Sequence, residues 1–365
     1  MTTFCCQITR LRPFRDWPPS ISSGHFLANQ AFGCQVPLSR RTFLQQAAAV
    51  SASSVLLAAC KPEQGEEGNP AFPNISLQSP WSNDAEFMGY FVAKSNGYFK
   101  DERLNFTYLP GGPDIIADTV LLSGRCDVAL TNLDGTVNAI LKSNAPIKVI
   151  GAQYQKSPLG IVSLKDNNIR EPKDLVGKRL AVPAANIETT RAFLKLNGID
   201  PREVKMSPYQ YDPTPLIAGA WDATVDFVTN VPYSIRLQNK EPTSFLFYDH
   251  GFRMFMDTIV ATENVLKNKR EGLVAFLKAS RKGWQTNFQD TTKYPPLFKD
   301  TWFKDTGRAI DNEIFFNNQQ KALIESSSGI FSMSEDAIAD NIKSLKAIGL
   351  AARRDMFAPE LLSEV

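Results

Sequence analysis

LQSPWSNDAEFMGYFVAKSNGYFKDERLNFTYLPGGPD, Leu77 to Asp114, decides how the rest of the chain is read. Ile75 to Gln78 is a short apolar-led run that predicts a strand. Ser79 to Asp84 follows, with Pro80, Trp81, Ser82 and Asn83, a composition that favours turns and caps. The period then changes: Met88, Phe91, Val92 and Phe99 fall on one stripe, the spacing of an amphipathic helix packed on a sheet, and Gly97 is placed to end it. Asn105 to Leu109 reads as the next strand. Gly111-Gly112-Pro113 turns sharply, and Asp114 is expected to cap the following helix. Two polar βα loops thus leave the carboxyl ends of neighbouring strands, the edge at which open α/β sheets bind ligands.

Outward from this stretch the alternation of strand and helix continues, the mark of βαβ architecture. Val128 to Thr131 and Ile147 to Gln153 read as buried parallel strands, and Gly160 to Leu164 and Arg179 to Pro183 as further strands. Glu171-Pro172 starts a short helix, and Ile187 to Asn197 is a helix closed by Gly198. The tail from Thr262 reads as helical, with Ser332 and Glu335 as a capping box. One order recurs. Leu122 to Asn132 runs helix end, Gly, Asp, strand, Thr131-Asn132; Ile217 to Asn230 repeats it with a three-residue insertion and ends in Thr229-Asn230. Chance recurrence of a common helix-to-strand turn is one reading; two similar lobes, each ending an equivalent strand with Asn, is the other.

The N-terminal part is of a different kind. Residues 1–59 hold five Arg, no Lys and one Asp, which leaves a body of 35 basic and 37 acidic residues. A near-neutral body argues against nucleic acid, which needs a basic face. Ser39-Arg40-Arg41-Thr42-Phe43-Leu44 is a twin-arginine pattern ahead of an apolar run from Ala47 to Ala59. Leu57-Ala58-Ala59-Cys60 then matches a lipoprotein cleavage box, with Cys60 as lipid acceptor. Residues 1–59 are therefore expected to be a twin-arginine lipoprotein signal peptide, and 60–73, rich in Pro, Gly and Glu, a flexible tether. The protein is expected outside the cytoplasm, periplasmic or at the cell surface, on a lipid anchor. Cys126 then stays as a single buried thiol.

The run Trp81, Asn83, Glu86 to Lys94, Gly97-Tyr98-Phe99 and Gly111 to Asp114 resembles the opening of a group of periplasmic substrate-binding proteins. These serve uptake of thiamine pyrimidine precursors and riboflavin, with nitrate, sulfonate and taurine binders as more distant relatives. A second block agrees: Asp212 to Leu216, Gly219, Asp222 and Val228-Thr229-Asn230. The resemblance runs from about Ile75 to about Trp284. It implies an α/β, two-lobed periplasmic-binding-protein (type II) fold, two Rossmann-like lobes about a cleft, with lobe one at 74–155 plus 250–365 and lobe two at 156–249. It also implies delivery of a small molecule to the permease and ATPase subunits of an ABC importer.

Enzyme chemistry finds little footing. The chain has two His, His25 in the leader and His250, and no HExxH, GxSxG, GxGxxG or Walker pattern. No metal and no cofactor is expected. A related fungal enzyme builds the thiamine pyrimidine on the same fold with a His in the first loop and a Cys-rich segment; here Phe87 stands at that His, and there is no Cys cluster. A binding site is better supplied. The candidate ligand residues are Trp81, Asn83, Glu86, Phe87, Asp114 and Asn132 from lobe one, and Glu188, Tyr211, Asp212 and Asn230 from lobe two. Trp81 and Phe87, with Tyr209 and Tyr211, are flat groups suited to sandwich a ring. Carboxylates and carboxamides suit the amino and ring-nitrogen groups of a heterocycle, whereas a small anion wants Arg, Lys or free helix amides. Each acid also has a plainer role as a cap or helix-dipole partner.

Overall fold

A computed structural model describes residues 69–365. The twin-arginine run, the cleavage box with Cys60 and tether residues 60–68 lie outside the described residues. The end of the expected tether is folded: Ala71 N donates to Asn69 Oδ1 at 3.0 Å, and Asn105 Nδ2 donates to Asn69 O at 2.8 Å. Asn69 thus makes a turn that the strand at Asn105 holds from the side.

Apolar runs become strands, and two five-stranded sheets result among the described residues. The first holds β1 (Asn74–Gln78), β2 (Asn105–Leu109), β3 (Val128–Thr131), β4 (Ile147–Tyr154) and β10 (Met256–Thr262), in the order β2-β1-β3-β10-β4. The second holds β5 (Leu159–Leu164), β6 (Arg179–Val182), β7 (Lys205–Pro208), β8 (Ala223–Phe227) and β9 (Pro242–Leu246), in the order β7-β6-β8-β5-β9. The two orders are equivalent. β1 and β6 each lie between two parallel neighbours, and β3 and β8 each meet an antiparallel strand on their other side. The Thr131-Asn132 and Thr229-Asn230 echo therefore follows equivalent strands.

One expectation of pairing fails. β4 is a buried strand and runs in the same direction as β3, as expected, but it pairs with β10 alone among the strands, and β10 runs opposite to both. An apolar run signals burial on both faces and carries no information about which strand lies beside it. β10 arrives about a hundred residues later and inserts between β3 and β4, making the sheet mixed.

The Met88–Ser95 helix buries Met88, Phe91 and Val92, and the chain leaves it through Gly97 at φ 76°. It crosses the Arg270–Gln289 helix at glycine contacts. A Cβ on Gly283 would sit 2.1 Å from the Gly89 carbonyl oxygen, and one on Gly89 would sit 2.3 Å from the Trp284 ring. Backbones this close exclude any larger residue. Around the crossing lies an aromatic core in which Phe91 stacks on Trp302 at 4.4 Å and Phe99 on Phe106 at 3.9 Å.

Two caps differ from expectation. Asp114 lies exposed in the turn; the helix starts at Ala117, after Ile116, with no side-chain cap. The last long helix, Glu335–Ala347, is capped by Ser334, whose Oγ accepts from Ala337 N, while Ser332 Oγ donates to Gln155 Oε1. Cys126 is buried just before β3, and burial pushes its thiol up to about 12. Among the described residues no helix is long and apolar enough to cross a membrane.

The chain passes between the sheets after β4 and again after β9. Lys156 on the first crossing pairs with Asp249 on the second at 3.4 Å. His250, in the 3-10 turn Tyr248–His250, is structural: its carbonyl accepts from Asn197 Nδ2, and its ring meets Phe245 edge-on at 5.0 Å.

Candidate functional site

The loop after β1 is fixed from within. Gln78 Nε2 donates to the carbonyls of Ser79, Leu109 and Pro110. Ser79 Oγ donates to Trp81 O and accepts from Gly111 N at 2.8 Å. A Cβ on Gly111 would stand 2.3 Å from Ser79 O and 2.6 Å from Trp81 N. Only glycine lets the turn after β2 lie against the loop after β1, so the two loops form one unit. That unit holds the Trp81 ring at the surface, 38% exposed.

Behind it the loop carries charge inward. Asp84 caps the turn Ala85–Phe87 by accepting from Glu86 N, and pairs with Arg308 at 2.9 Å. Glu313 Oε2 accepts from Ala85 N at 2.7 Å. Gln153 Nε2 donates to Glu86 O at 2.8 Å and to Asp257 Oδ2 at 2.9 Å. The carboxyl groups of Glu86 and Asp257 are close enough that each alters the acidity of the other. Burial is the main cause of every shift here, because a charged carboxylate loses its hydration. It raises Asp84 to about 6 against the pull of Arg308, and Asp257 and Glu313 each to about 7. Glu86 is raised well above the carboxylate range by burial and then by Asp257 and Asp84. Asp257 has φ 47°, a left-handed conformation within a strand that a non-glycine residue adopts only where its surroundings enforce it. Beside them, Oε1 of Gln153 is buried with no hydrogen-bond partner among the described residues.

The predicted residues divide. Trp81, Asn83 and Glu86 lie together in the first loop. Asn83 Nδ2 donates to Trp302 O at 3.0 Å, and its Oδ1 is buried and unpartnered. Phe87 faces the core, fully buried beside Phe91 and Tyr108; the helical stripe that begins there turns its ring inward, away from any ligand surface. Asn132 is exposed after β3 and makes no cap bond. In the second sheet Glu188 is exposed and paired with Arg191 at 2.6 Å. Asp212 accepts from Thr214 N at 2.9 Å, the capping role. Tyr211 is 57% exposed at φ 60°, whereas Tyr209 is buried. Sequence reading missed Gln153, Asp257, Arg308, Asn312 and Glu313. They come from β4, β10 and the segment around the Ile310–Ile324 helix, and no spacing in the chain links them to Glu86.

One connection joins the two sheets at this site. Asn312 Nδ2 donates to Asn230 Oδ1 at 3.1 Å and to Glu313 Oε1 at 3.3 Å. Beside it Phe315 packs on Tyr233 at 5.6 Å and under Arg236 at 5.1 Å. Asn230, the third residue beyond β8, is thereby tied to the loop after β1. Among the described residues no group of three or more His, Cys, Asp and Glu is placed to hold a metal ion.

Known proteins with this architecture are similar in sequence as well. The formylaminopyrimidine-binding protein of Halalkalibacterium halodurans is 24% identical over 240 residues, covering 63% of this chain and 71% of that protein. The riboflavin-binding protein RibY of Chloroflexus aurantiacus is 20% identical over 59% of this chain; the match spans 62% of RibY. A 4-amino-5-hydroxymethyl-2-methylpyrimidine phosphate synthase of Legionella pneumophila is 27% identical over a shorter stretch, 36% of this chain and 42% of that enzyme. Among solved structures, the periplasmic aliphatic sulphonate binding protein SsuA of Escherichia coli superposes with a TM-score of 0.59 at 12% identity, over 75% of this chain and 91% of SsuA. The fold is therefore that of the periplasmic binding proteins. Residues 84–293, more than half of the chain, match the family model described as NMT1/THI5 like, and the chain belongs to that family.

Proposed function

We propose that the chain is an extracytoplasmic solute-binding protein that takes a small heterocycle, of the thiamine-pyrimidine-precursor or riboflavin kind, in a cleft between two lobes. The lobes are 74–155 plus 250–365 and 156–249, and the ligand passes to the permease and ATPase of an ABC importer. The observation that carries this reading is the link Asn230–Asn312–Glu313–Ala85. It joins the carboxyl ends of equivalent sheets, where α/β proteins present groups to a crevice. The names of the two binding-protein relatives support the ligand class. So does the chemistry: the first loop offers carboxyl and carboxamide groups, and Arg308, reaching it from ahead of the Ile310–Ile324 helix, is already engaged by Asp84. That set disfavours sulfonate, taurine or nitrate, the second reading of the same fold. A pyrimidine-precursor synthase is the enzyme alternative. It predicts turnover, where a binding protein returns its ligand unchanged.

The test is calorimetric titration with a pyrimidine and with riboflavin, on the parent and on Trp81→Ala, Asn132→Ala and Asn230→Ala. Each carboxamide loss is expected to cost about 1–3 kcal/mol, roughly a 5- to 150-fold fall in affinity, and Trp81→Ala at least as much. Equal binding by all three variants would place the ligand elsewhere; loss of stability in step with affinity would make these residues structural. Export by the twin-arginine route and a lipid on Cys60 complete the proposal. Cys60→Ala is expected to abolish metabolic lipid labelling and free the exported protein from the membrane, and unchanged membrane retention would remove the anchor.

A further inference from the structure

The Ile310–Ile324 helix lies wholly beyond residue 293, where the family match ends, and its two ends meet different partners. Along its length it is fixed to residues of the proposed lobe one. Asn317 and Asn287 exchange side-chain amide bonds at 2.8 and 2.9 Å. Gln320 Nε2 donates to Ala85 O at 2.6 Å, and the Tyr154 hydroxyl donates to Gln320 Oε1 at 2.7 Å. The C-terminal end meets the first crossing between the sheets: Leu323 O accepts from Gln155 N at 2.8 Å and from Lys156 N at 3.1 Å. The N-terminal end reaches the proposed lobe two. There Asn312 Nδ2 donates to Asn230 Oδ1, and Phe315 lies against Tyr233 and Arg236 of the Val231–Leu237 helix. Every contact in this seam is made between side chains of the protein itself.

This geometry makes the helix a strut from the crossing to the seam. Asn312 and Leu323 are eleven residues apart, about 16 Å along a helix. With that arm, a turn of the second lobe by about 10° at the crossing shifts the seam by about 3 Å, more than a hydrogen bond survives. We propose that Asn312 and Phe315 form a latch that holds the two lobes closed with or without a ligand between them, so that opening at this seam sets the rates of both entry and release. This rests on the two-lobe binding reading above and adds to it a control of rate. Linkage separates a latch from a ligand contact. A contact that favours the closed form equally with and without ligand slows entry and release alike, and leaves the dissociation constant nearly unchanged when the empty protein is mostly closed. Losing a group that touches the ligand instead speeds release and hardly alters entry.

The decisive variant is Phe315→Ala, which removes the ring from both Tyr233 and Arg236, neither of them a candidate ligand residue. Stopped-flow binding of riboflavin and of 4-amino-2-methylpyrimidine is expected to show association and dissociation both faster, each roughly tenfold, the effect of losing an aromatic pair and a cation–π contact. The dissociation constant is expected to move by less than about threefold. Small-angle scattering without added ligand is expected to give a larger radius of gyration for the variant than for the parent. Should Phe315→Ala fail to fold, Arg236→Ala, on the exposed side of the seam, makes the same comparison with smaller changes of the same sign. Faster release at unchanged association overturns the latch and makes Phe315 a support of the bound ligand. Identical scattering of parent and variant without ligand overturns it too, and the binding-protein reading survives either result. Binding of neither probe overturns that reading instead, and the scattering comparison still decides whether the seam holds the lobes shut.

Discussion

The loop after β1 and the loop after β6 leave equivalent strands of two equivalent sheets, yet they handle charge in opposite ways. In the first, the Asp84 side chain is 3% exposed and that of its partner Arg308 19%. In the second, Glu188 and Arg191 pair with 70% and 50% of their side chains exposed. The same fold thus carries a desolvated ionic cluster at one edge and ordinary surface charges at the other. The first loop is also braced from the far end of the chain, by Trp302, Arg308 and Glu313, whereas Glu188 and Asp212 bond to residues two or three positions away. Specific recognition by buried, proton-holding groups is accordingly expected at the first edge, and adjustable covering contacts, Tyr211 among them, at the second.

Breaking one pair in each loop gives the largest contrast. Arg308→Met leaves Asp84 buried without its counter-ion and is expected to cost about 3–5 kcal/mol. Arg191→Met removes an exposed pair worth about 0–1 kcal/mol. Urea unfolding at neutral pH measures both. Equal losses would mean that the two edges do not differ energetically, whatever their exposure.

The parts of this contrast that were legible in the sequence are those with a local cause. The stripe Met88, Phe91, Val92 is periodic, so the helix and its buried face follow from spacing. The Thr131-Asn132 and Thr229-Asn230 echo is a repeated order, and it marks equivalent strands. Glu86 was visible as an acid at a helix start. Its burial was not, because Asp257, Gln153 and Glu313 lie 67 to 227 positions away and meet it only once β10 has inserted between β3 and β4. The separation of β4 from β3 by β10 was hidden for the same reason. Asp114 misled because Pro113-Asp114 has the composition of a cap, while the chain runs on to Ile116 before the helix turns. The close glycines, Gly111 on the first loop and Gly283 against Gly89, have no local signature beyond being glycine.

A smaller and opposite-signed effect comes from pH. Asp84, Asp257 and Glu313 all titrate higher in the folded protein than their ordinary 3.8, 3.8 and 4.5, at about 6, 7 and 7, and burial raises Glu86 well above its ordinary 4.5 too. Asp226 in β8, raised by burial to about 6, shares the window. Between about pH 4 and 7 the folded state therefore binds more protons than the unfolded chain. Stability is full on the acid side of that window and falls as pH rises through it, the reverse of ordinary acid denaturation. Exposed carboxylates held low, such as Asp200 at about 2 beside Arg202, act only below the window. Glu313→Gln isolates one share. The amide oxygen still accepts from Ala85 N, but no proton need be bound. At about 1.4 kcal/mol per tenfold change in acidity, the variant is expected to gain at most about 3 kcal/mol on the parent between pH 4.5 and pH 8. Urea unfolding at those two values reads the difference directly. A parent that becomes more stable on going to pH 8, or a variant that follows it without divergence, would show that Glu313 carries its charge in the fold and that the first edge is no more desolvated than the second.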